Sequence, residues 1–184
     1  METKLTKEDY LEIYRMLEEV SPVPYDCGMI CGAACCDPDR KGEDLGIYLL
    51  PGEEKVHDMS DPWLKWDKEK AKDYDFPDSW EGIVYFADCT CSPEDCNREK
   101  RPLQCRSFPL APHINPEGKL VLIYDDSDVP YSCPLIESGS ELSEDFMKAT
   151  YLAWKKLTTD PLIRDLVMYD SAQRNPDAEY VYPK

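Results

Sequence analysis

Long apolar runs are absent from the sequence. No stretch approaches the roughly 18 consecutive apolar residues that a membrane-spanning helix requires. The first twenty residues, METKLTKEDYLEIYRMLEEV, are charged from the start and lack the apolar segment and small-residue cleavage site of a signal peptide. We therefore expect a cytoplasmic protein with no membrane partner.

Basic charge is also scarce. The chain has 21 Lys and Arg residues against 38 Asp and Glu residues, which gives a formal net charge of −17 at pH 7. Such a surface repels a phosphate backbone over most of its area, so we expect no nucleic-acid partner. Basic residues cluster only in NREKRPLQCR, residues 97–106. The acidic surplus favours solubility.

Histidine is nearly missing, with only His57 and His113 in 184 residues. A catalytic thiol needs a base, and neither histidine belongs to a recognisable Cys/His signature. Catalysis by a nucleophilic thiol such as Cys105 is therefore disfavoured. We expect both histidines to be structural or to lie at the surface, with His113 as a minor candidate for a metal ligand.

Cysteine, in contrast, is abundant: the chain has nine. Because thiols stay reduced in the cytoplasm, clustered cysteines indicate a metal site or catalysis rather than disulfides. Thiolates are soft ligands that select zinc, copper(I) or iron–sulfur centres. The cysteines fall into two groups, Cys27, Cys31, Cys35 and Cys36, then Cys89, Cys91, Cys96, Cys105 and Cys133.

The first group lies in CGMICGAACC, residues 27–36. A Cys-x3-Cys step is within the range of spacings used for tetrahedral zinc, whereas Gly28 and Gly32 favour a loop or short turns. We expect the side chains of the adjacent Cys35 and Cys36 to diverge, so that each serves a different metal or a different edge of a cluster. The alternative is that one of them is a buried thiol. No common iron–sulfur signature has these spacings.

The most distinctive element of the second group is RPLQCRSFPLAP, residues 101–112. Arg101 and Arg106 flank Cys105. A guanidinium beside a thiolate offsets its charge and donates hydrogen bonds to it. The alternative is that these arginines form surface ion pairs, as is common in an acidic protein.

The periodicity of the chain predicts an α+β fold: a small, mostly antiparallel sheet with cysteine-rich loops, flanked by an N-terminal helix and two C-terminal helices. We expect a single cysteine-cluster metal-binding domain over residues 1–184, with a core at about 21–136 and a C-terminal helical segment at about 141–172. The predicted elements are a helix over 6–20 with Thr6 as N-cap, strands at 46–50, 64–66 and 82–89, a hairpin of 108–114 and 119–124 around NPEG, helices capped by Ser143 and Asp160, and an extended tail.

The order of these motifs resembles the YkgJ-like cysteine-cluster family. That family's pattern is a CxxxCxxCC start, two intermediate cysteines, an RPxxCRxFP segment and a final cysteine, and this chain follows it over about residues 27–134. The chain departs from it in two places. Three residues rather than two separate Cys31 from Cys35, and both Cys89 and Cys91 stand where one cysteine is expected.

The resemblance implies metal binding rather than a known reaction. Members are described as chelating zinc or iron, and a similar cluster in a flagellin lysine methylase is associated with iron–sulfur. Cys89 is preferred to Cys91 because it directly follows the strand IVYFAD. Carried over residue by residue, the implied metal ligands are Cys27, Cys31, Cys35, Cys36, Cys89, Cys96, Cys105 and Cys133.

The sequence supports three hypotheses for the role of the metal. The first is a protein that chelates zinc, or an iron–sulfur cluster as the alternative cofactor, through clustered thiolates. The second is an iron–sulfur-dependent redox or modification enzyme, and the third is metal storage or delivery. The metal ion is the one partner that the sequence indicates; no motif identifies a substrate or a protein partner.

Overall fold

The computed structural model of the chain describes residues 2–36, 47–92, 95–96 and 98–183. It confirms the predicted α+β class. The helices of the described residues are α1 (Lys7–Met16), α2 (Gly28–Cys31), α3 (Leu103–Ser107), α4 (Pro134–Glu137), α5 (Glu144–Leu157) and α6 (Pro161–Gln173). The strands are β1 (Ile47–Tyr48), β2 (Leu64–Lys70), β3 (Ile83–Cys89), β4 (Leu110–Ile114), β5 (Leu120–Tyr124) and β6 (Tyr180–Tyr182).

Helix α1 begins where the sequence predicts. The Thr6 side chain accepts a hydrogen bond from the backbone N–H of Asp9, and the Asp9 carboxylate accepts one from the backbone N–H of Thr6. This reciprocal capping box satisfies two N–H groups that a helix start otherwise leaves unpaired. The helix ends at Met16 rather than at the predicted Val20, because the Leu17 N–H bonds to the Tyr14 carbonyl and tightens the last turn.

The first sheet has the strand order β1-β3-β2, with antiparallel pairing throughout. The predicted strand over 82–89 is confirmed as β3. The prediction for β2 was too short: instead of 64–66 it runs the full length of β3, from Leu64 opposite Cys89 to Lys70 opposite Ile83. Its polar second half has weak strand propensity, and pairing with β3 decides its conformation.

The second sheet has the order β4-β5-β6, also antiparallel. The hairpin around NPEG is confirmed, with Gly118 at φ +76° in the turn. The tail is more than extended: Tyr182 pairs with Leu122, so the tail supplies β6. The small sheet that the sequence predicts is thus divided, among the described residues, into two sheets of three strands.

Helices α5 and α6 close the fold. Asp160 is the N-cap of α6 as predicted, since its carboxylate accepts from the N–H groups of Leu162 and Ile163. Ser143 precedes α5 but makes no side-chain capping bond. The main core includes the buried side chains Tyr10, Ile13, Leu50, Leu103, Leu110, Leu122, Phe146, Leu157 and Ile163. A smaller cluster of Leu49, Leu64 and Ala87 lies against Trp63 and Trp66.

No helix in the described part of the chain combines the length and the apolar character needed to cross a membrane.

Candidate metal centre

The CGMICGAACC stretch folds into two short turns, as the glycines predict. Helix α2 begins after Cys27, and the Asp26 carboxylate accepts from the Gly28 N–H at 3.1 Å. The helix ends at Gly32, whose φ of +65° is a left-handed conformation that glycine adopts without strain. A 3-10 turn over Ala34–Cys36 follows. Cys27 therefore lies just before α2 and Cys31 at its end, while Cys35 and Cys36 lie in the 3-10 turn.

A cavity of about 320 Å³ lies against this stretch. Five of the eight predicted ligands line it. Four come from the stretch itself, and Cys133, which precedes α4, comes from a segment almost 100 residues away. The thiols that line the cavity are those of Cys27, Cys31, Cys35, Cys36 and Cys133, and its other walls include Met29, Ile30, Arg98, Arg101, Phe108 and Leu135.

Cys105 is presented by a helix that is fastened to the core around it. In α3, Leu103 is completely buried, and the Gln104 side-chain amide donates to the Tyr48 carbonyl at 2.6 Å. The Arg106 guanidinium lies over the Tyr14 ring, 4.3 Å from its centroid, and its Nε donates to the Arg101 carbonyl. Cys105 itself is exposed. The RPLQCRSFP motif therefore anchors one turn of helix to the core on both sides of Cys105.

The two arginines of this motif have different roles. Arg101 donates from Nε to the Cys96 sulfur at 3.1 Å, and its positive charge also acts on Cys36 and Cys105. This is the charge offset that the sequence predicts. For Arg106 the prediction is wrong, because its guanidinium is held by the Tyr14 ring and backbone carbonyls rather than by a thiol.

The adjacent Cys35 and Cys36 do not diverge. Their Sγ atoms are 3.8 Å apart within the 3-10 turn, which corrects the expectation from the sequence. In a tetrahedral zinc site with Zn–S bonds of about 2.3 Å, sulfur atoms are about 3.8 Å apart. The pair is therefore spaced as two ligands of one ion would be.

Cys89 and Cys91 also lie together, with their Sγ atoms 3.3 Å apart. Cys89 ends β3 and is exposed, while Cys91 is half-buried in the loop that follows. Cys96, the thiol that accepts a hydrogen bond from Arg101, lies near this pair, since its charge contributes to the raised pKa of Cys91. The geometry gives no preference between Cys89 and Cys91.

Burial and mutual repulsion raise the pKa of several of these thiols, among them Cys27, Cys91 and Cys105. Burial raises the pKa of Cys27, and Asp26 and Cys31 add to this effect. Although part of its surface is accessible, the protein around Cys105 desolvates the thiolate and, with the charge of Cys36, raises the pKa of Cys105 to about 12 against the opposing charge of Arg101. A metal that binds these thiols must displace their protons.

Cys36 is the exception. A hydrogen bond from Cys35 lowers the pKa of Cys36 to about 6, and the charges of Arg101 and Arg98 contribute to the lowering. The pKa of Cys35 is raised correspondingly, because its proton is shared with Cys36. The hydrogen bond between the two sulfurs and the nearby arginines thus favour one thiolate in this pair, and a thiolate is the form that binds a soft metal.

The donor set fits zinc and iron–sulfur chemistry, since thiolates are the preferred ligands of both. In the arrangement shown, however, no group of three His, Cys, Asp or Glu side chains among the described residues is close enough to hold one metal ion. Metal binding at this face therefore requires the thiols to move closer together than they are here.

The histidines lie elsewhere, as expected. His57 Nε2 is 2.9 Å from the Tyr14 hydroxyl in a buried network with Glu53. His113 is buried in β4 beside the Tyr180 ring, and burial lowers its pKa. Sequence reasoning missed Glu53, which is completely buried beneath α3. No signal in PGEEKVH distinguishes it from a surface glutamate, since its neighbour Glu54 has the same chemistry.

Comparison of the chain with protein-family models, with curated proteins and with solved structures found no match. The resemblance to the YkgJ-like family accordingly rests on the cysteine spacings and the RPLQCRSFP motif alone.

Proposed function

We propose that this protein binds a metal, as zinc or as an iron–sulfur cluster, through cysteine thiolates at the cavity beside α2. The observation that carries the proposal is that Cys133 lines the same cavity as Cys27, Cys31, Cys35 and Cys36. Thiols that are distant in sequence line one cavity, with no disulfide among them in the described structure. The proposal includes a reducing, cytoplasmic location, in which these thiols stay free.

Electrostatics supports the proposal. Once deprotonated to bind a metal, clustered thiolates repel one another, and a cation is needed to hold them together. Arg101 supplies part of that charge, since it donates to Cys96 and acts on Cys36 and Cys105. A bound metal would supply the remaining positive charge, because a metal cation is the largest local charge in such a site and keeps its coordinating thiols deprotonated.

A second candidate is an iron–sulfur-dependent redox or modification enzyme. It is favoured by the size and lining of the cavity: about 320 Å³ is more than a single ion needs, and the walls include the apolar side chains of Met29, Ile30, Phe108 and Leu135. Apolar surroundings and hydrogen bonds to sulfur tune the potential of a redox cluster.

Anaerobic purification followed by a visible spectrum and analysis of metal and sulfide decides between zinc and an iron–sulfur cluster, and only the cluster is compatible with the second candidate. Stoichiometric iron and sulfide with broad visible absorbance establish a cluster and eliminate zinc. A colourless protein with stoichiometric zinc eliminates the cluster. Protein that holds neither metal, and takes up neither when reduced and supplied with it, contradicts the proposal altogether.

Replacing Cys105 by serine tests whether the thiol on α3 belongs to the site. We expect Cys105→Ser to lower both the bound metal per chain and the melting temperature, because metal binding is coupled to folding. The comparison variant is Cys91→Ser, which removes the clustered thiol outside the predicted ligand set; since Cys91 lies 3.3 Å from Cys89, its metal content decides whether it belongs to the site. Unchanged metal content in Cys105→Ser removes Cys105 from the site, and a loss in Cys91→Ser places Cys91 among the ligands.

A further inference from the structure

Glu53 is a carboxylate with no exposed surface. Both of its oxygens are occupied. Oε1 accepts from the Tyr14 hydroxyl at 2.6 Å and from the Leu103 backbone N–H at 2.7 Å, and Oε2 accepts from the Leu50 N–H at 3.0 Å. A buried carboxylate is tolerated only when it is hydrogen-bonded in this way. Its three donors come from α1, from the segment after β1 and from the first residue of α3.

The hydrogen bond from the Leu103 N–H links Glu53 to the helix that carries Cys105. Leu103 begins α3, and Cys105 lies two residues further on in the same short helix. With only five residues, α3 has little stability of its own, so its position is set by its attachments to the core. Tyr14 connects the same carboxylate to the far end of α3, because its hydroxyl donates to Glu53 while its ring lies beneath the Arg106 guanidinium.

We infer that Glu53 is a positioning residue for the Cys105 thiol, acting through the Leu103 N–H and the Tyr14 hydroxyl; this inference rests on the proposed metal site. Under this inference a buried glutamate affects the position of a cysteine that its own side chain does not contact. The Glu53 carboxylate fixes the start of α3. The position of α3 in turn places the Cys105 sulfur where it can bind the metal together with the other thiols.

Asp160 provides a matched control. It is another buried carboxylate, 1% exposed, and it accepts from the N–H groups at the start of α6 and from Thr3 and Lys4. Helix α6 contains no cysteine. Glu53→Gln and Asp160→Asn each place an amide NH2 against a backbone or hydroxyl donor in the core. Both should lose stability, but only Glu53→Gln should disturb Cys105.

The experiment uses the full chain, reduced and anaerobic, with two measurements. The first is a titration with Co²⁺, a coloured substitute for zinc. Binding is measured from the absorbance of the Co²⁺ thiolate charge-transfer and ligand-field bands. The second is the rate at which iodoacetamide labels Cys105 relative to Cys133 in the metal-free protein, measured by mass spectrometry. We expect Glu53→Gln to bind Co²⁺ roughly tenfold more weakly or worse, with an altered spectrum, and to change the labelling ratio at least twofold. Asp160→Asn should match the wild type in both.

Equal spectra, affinities and labelling ratios in Glu53→Gln and the wild type overturn the inference, as does an Asp160→Asn variant that changes as much as Glu53→Gln. If the wild type binds no Co²⁺, the zinc form of the proposed function fails, and the labelling ratio still decides whether Glu53 positions Cys105. Should Glu53→Gln not fold, Tyr14→Phe removes one donor from the same carboxylate. It should shift the labelling ratio in the same direction, and an unchanged ratio there overturns the inference.

Discussion

At the scale of single residues, two side chains that look alike in the sequence differ in the fold. Ser143 and Asp160 each stand one residue before a helix, and both are predicted N-caps. Asp160 is 1% exposed and accepts four hydrogen bonds, from Thr3, Lys4, Leu162 and Ile163. The Ser143 side chain caps nothing; its backbone N–H instead donates to the Pro22 carbonyl.

The two caps should therefore differ in their contribution to stability. We expect Asp160→Ala to lower the free energy of unfolding by about 2–3 kcal/mol, because it removes a cap and leaves buried donors unpaired. Ser143→Ala should change it by less than about 0.5 kcal/mol, since no capping bond is lost. Urea denaturation of the two variants and the wild type measures both values. Equal losses would contradict the difference in geometry.

At the scale of elements, two turns owe their conformation to the few residues within them. The NPEG hairpin forms where the sequence predicts it, and a 3-10 turn forms over Glu53–Val56. Gly52 precedes that 3-10 turn with φ +91°, and Gly118 has φ +76° in the hairpin. Both angles favour glycine. Their surroundings differ, because one turn packs against the N-terminal segment and the other is open.

Alanine at these two glycines separates backbone strain from crowding. A Cβ at Gly52 would lie 2.6 Å from the Thr3 Cγ2, and Thr3 is held by its bond to Asp160. A Cβ at Gly118 would meet no atom within 4 Å. We expect Gly118→Ala to lower the free energy of unfolding by about 1 kcal/mol, because of its positive φ alone. Gly52→Ala should lower it by about 2–4 kcal/mol, because the neighbouring Thr3 must also be displaced. Denaturation midpoints with unchanged m-values would report both; a larger loss at Gly118 would refute this account.

The elements that the sequence predicts less well are those that depend on a partner strand. The polar half of β2 has little to mark it as a strand, and the tail has the strand-forming residues Tyr180, Val181 and Tyr182 but nothing local that identifies its partner. Each takes its conformation from a neighbour: Lys70 lies opposite Ile83, and Tyr182 lies opposite Leu122. Pairing across a sheet is a long-range property that no local window of the sequence contains.

At the scale of the whole molecule, the net charge of −17 has a local cost. Asp170, in α6, is half-buried, and its burial raises its pKa to about 6. Repulsion from Asp125, Asp75 and Asp126 adds to the effect, and Arg174 opposes it. Such a group binds its proton more tightly in the folded state than in the unfolded state, where its pKa is 3.8. The folded state therefore loses stability as the pH rises from about 4 to about 6.

Removing this charge should stabilise the protein at neutral pH. We expect Asp170→Asn to raise the free energy of unfolding by about 1–2 kcal/mol at pH 7, after allowance for partial solvent screening. At pH 4 the gain should largely vanish, because the aspartate is then protonated in the folded state. Urea denaturation at both pH values checks the sign. A gain of the same size at pH 4 would show that the charge is not its cause.

The sequence by itself determined the features whose causes are local: the Thr6 and Asp9 capping box, the Asp160 cap, the NPEG turn and the two groups of cysteines. Only the tertiary structure decided which thiols meet. Cys133 lines one cavity with Cys27, and Arg101 lies beside Cys96 while Arg106 turns to Tyr14. It also decided that Glu53 is buried and Glu54 is not. Local patterns fix backbone conformation over a few residues. Which side chains share a site depends instead on how distant elements pack, and that is set by the core as a whole.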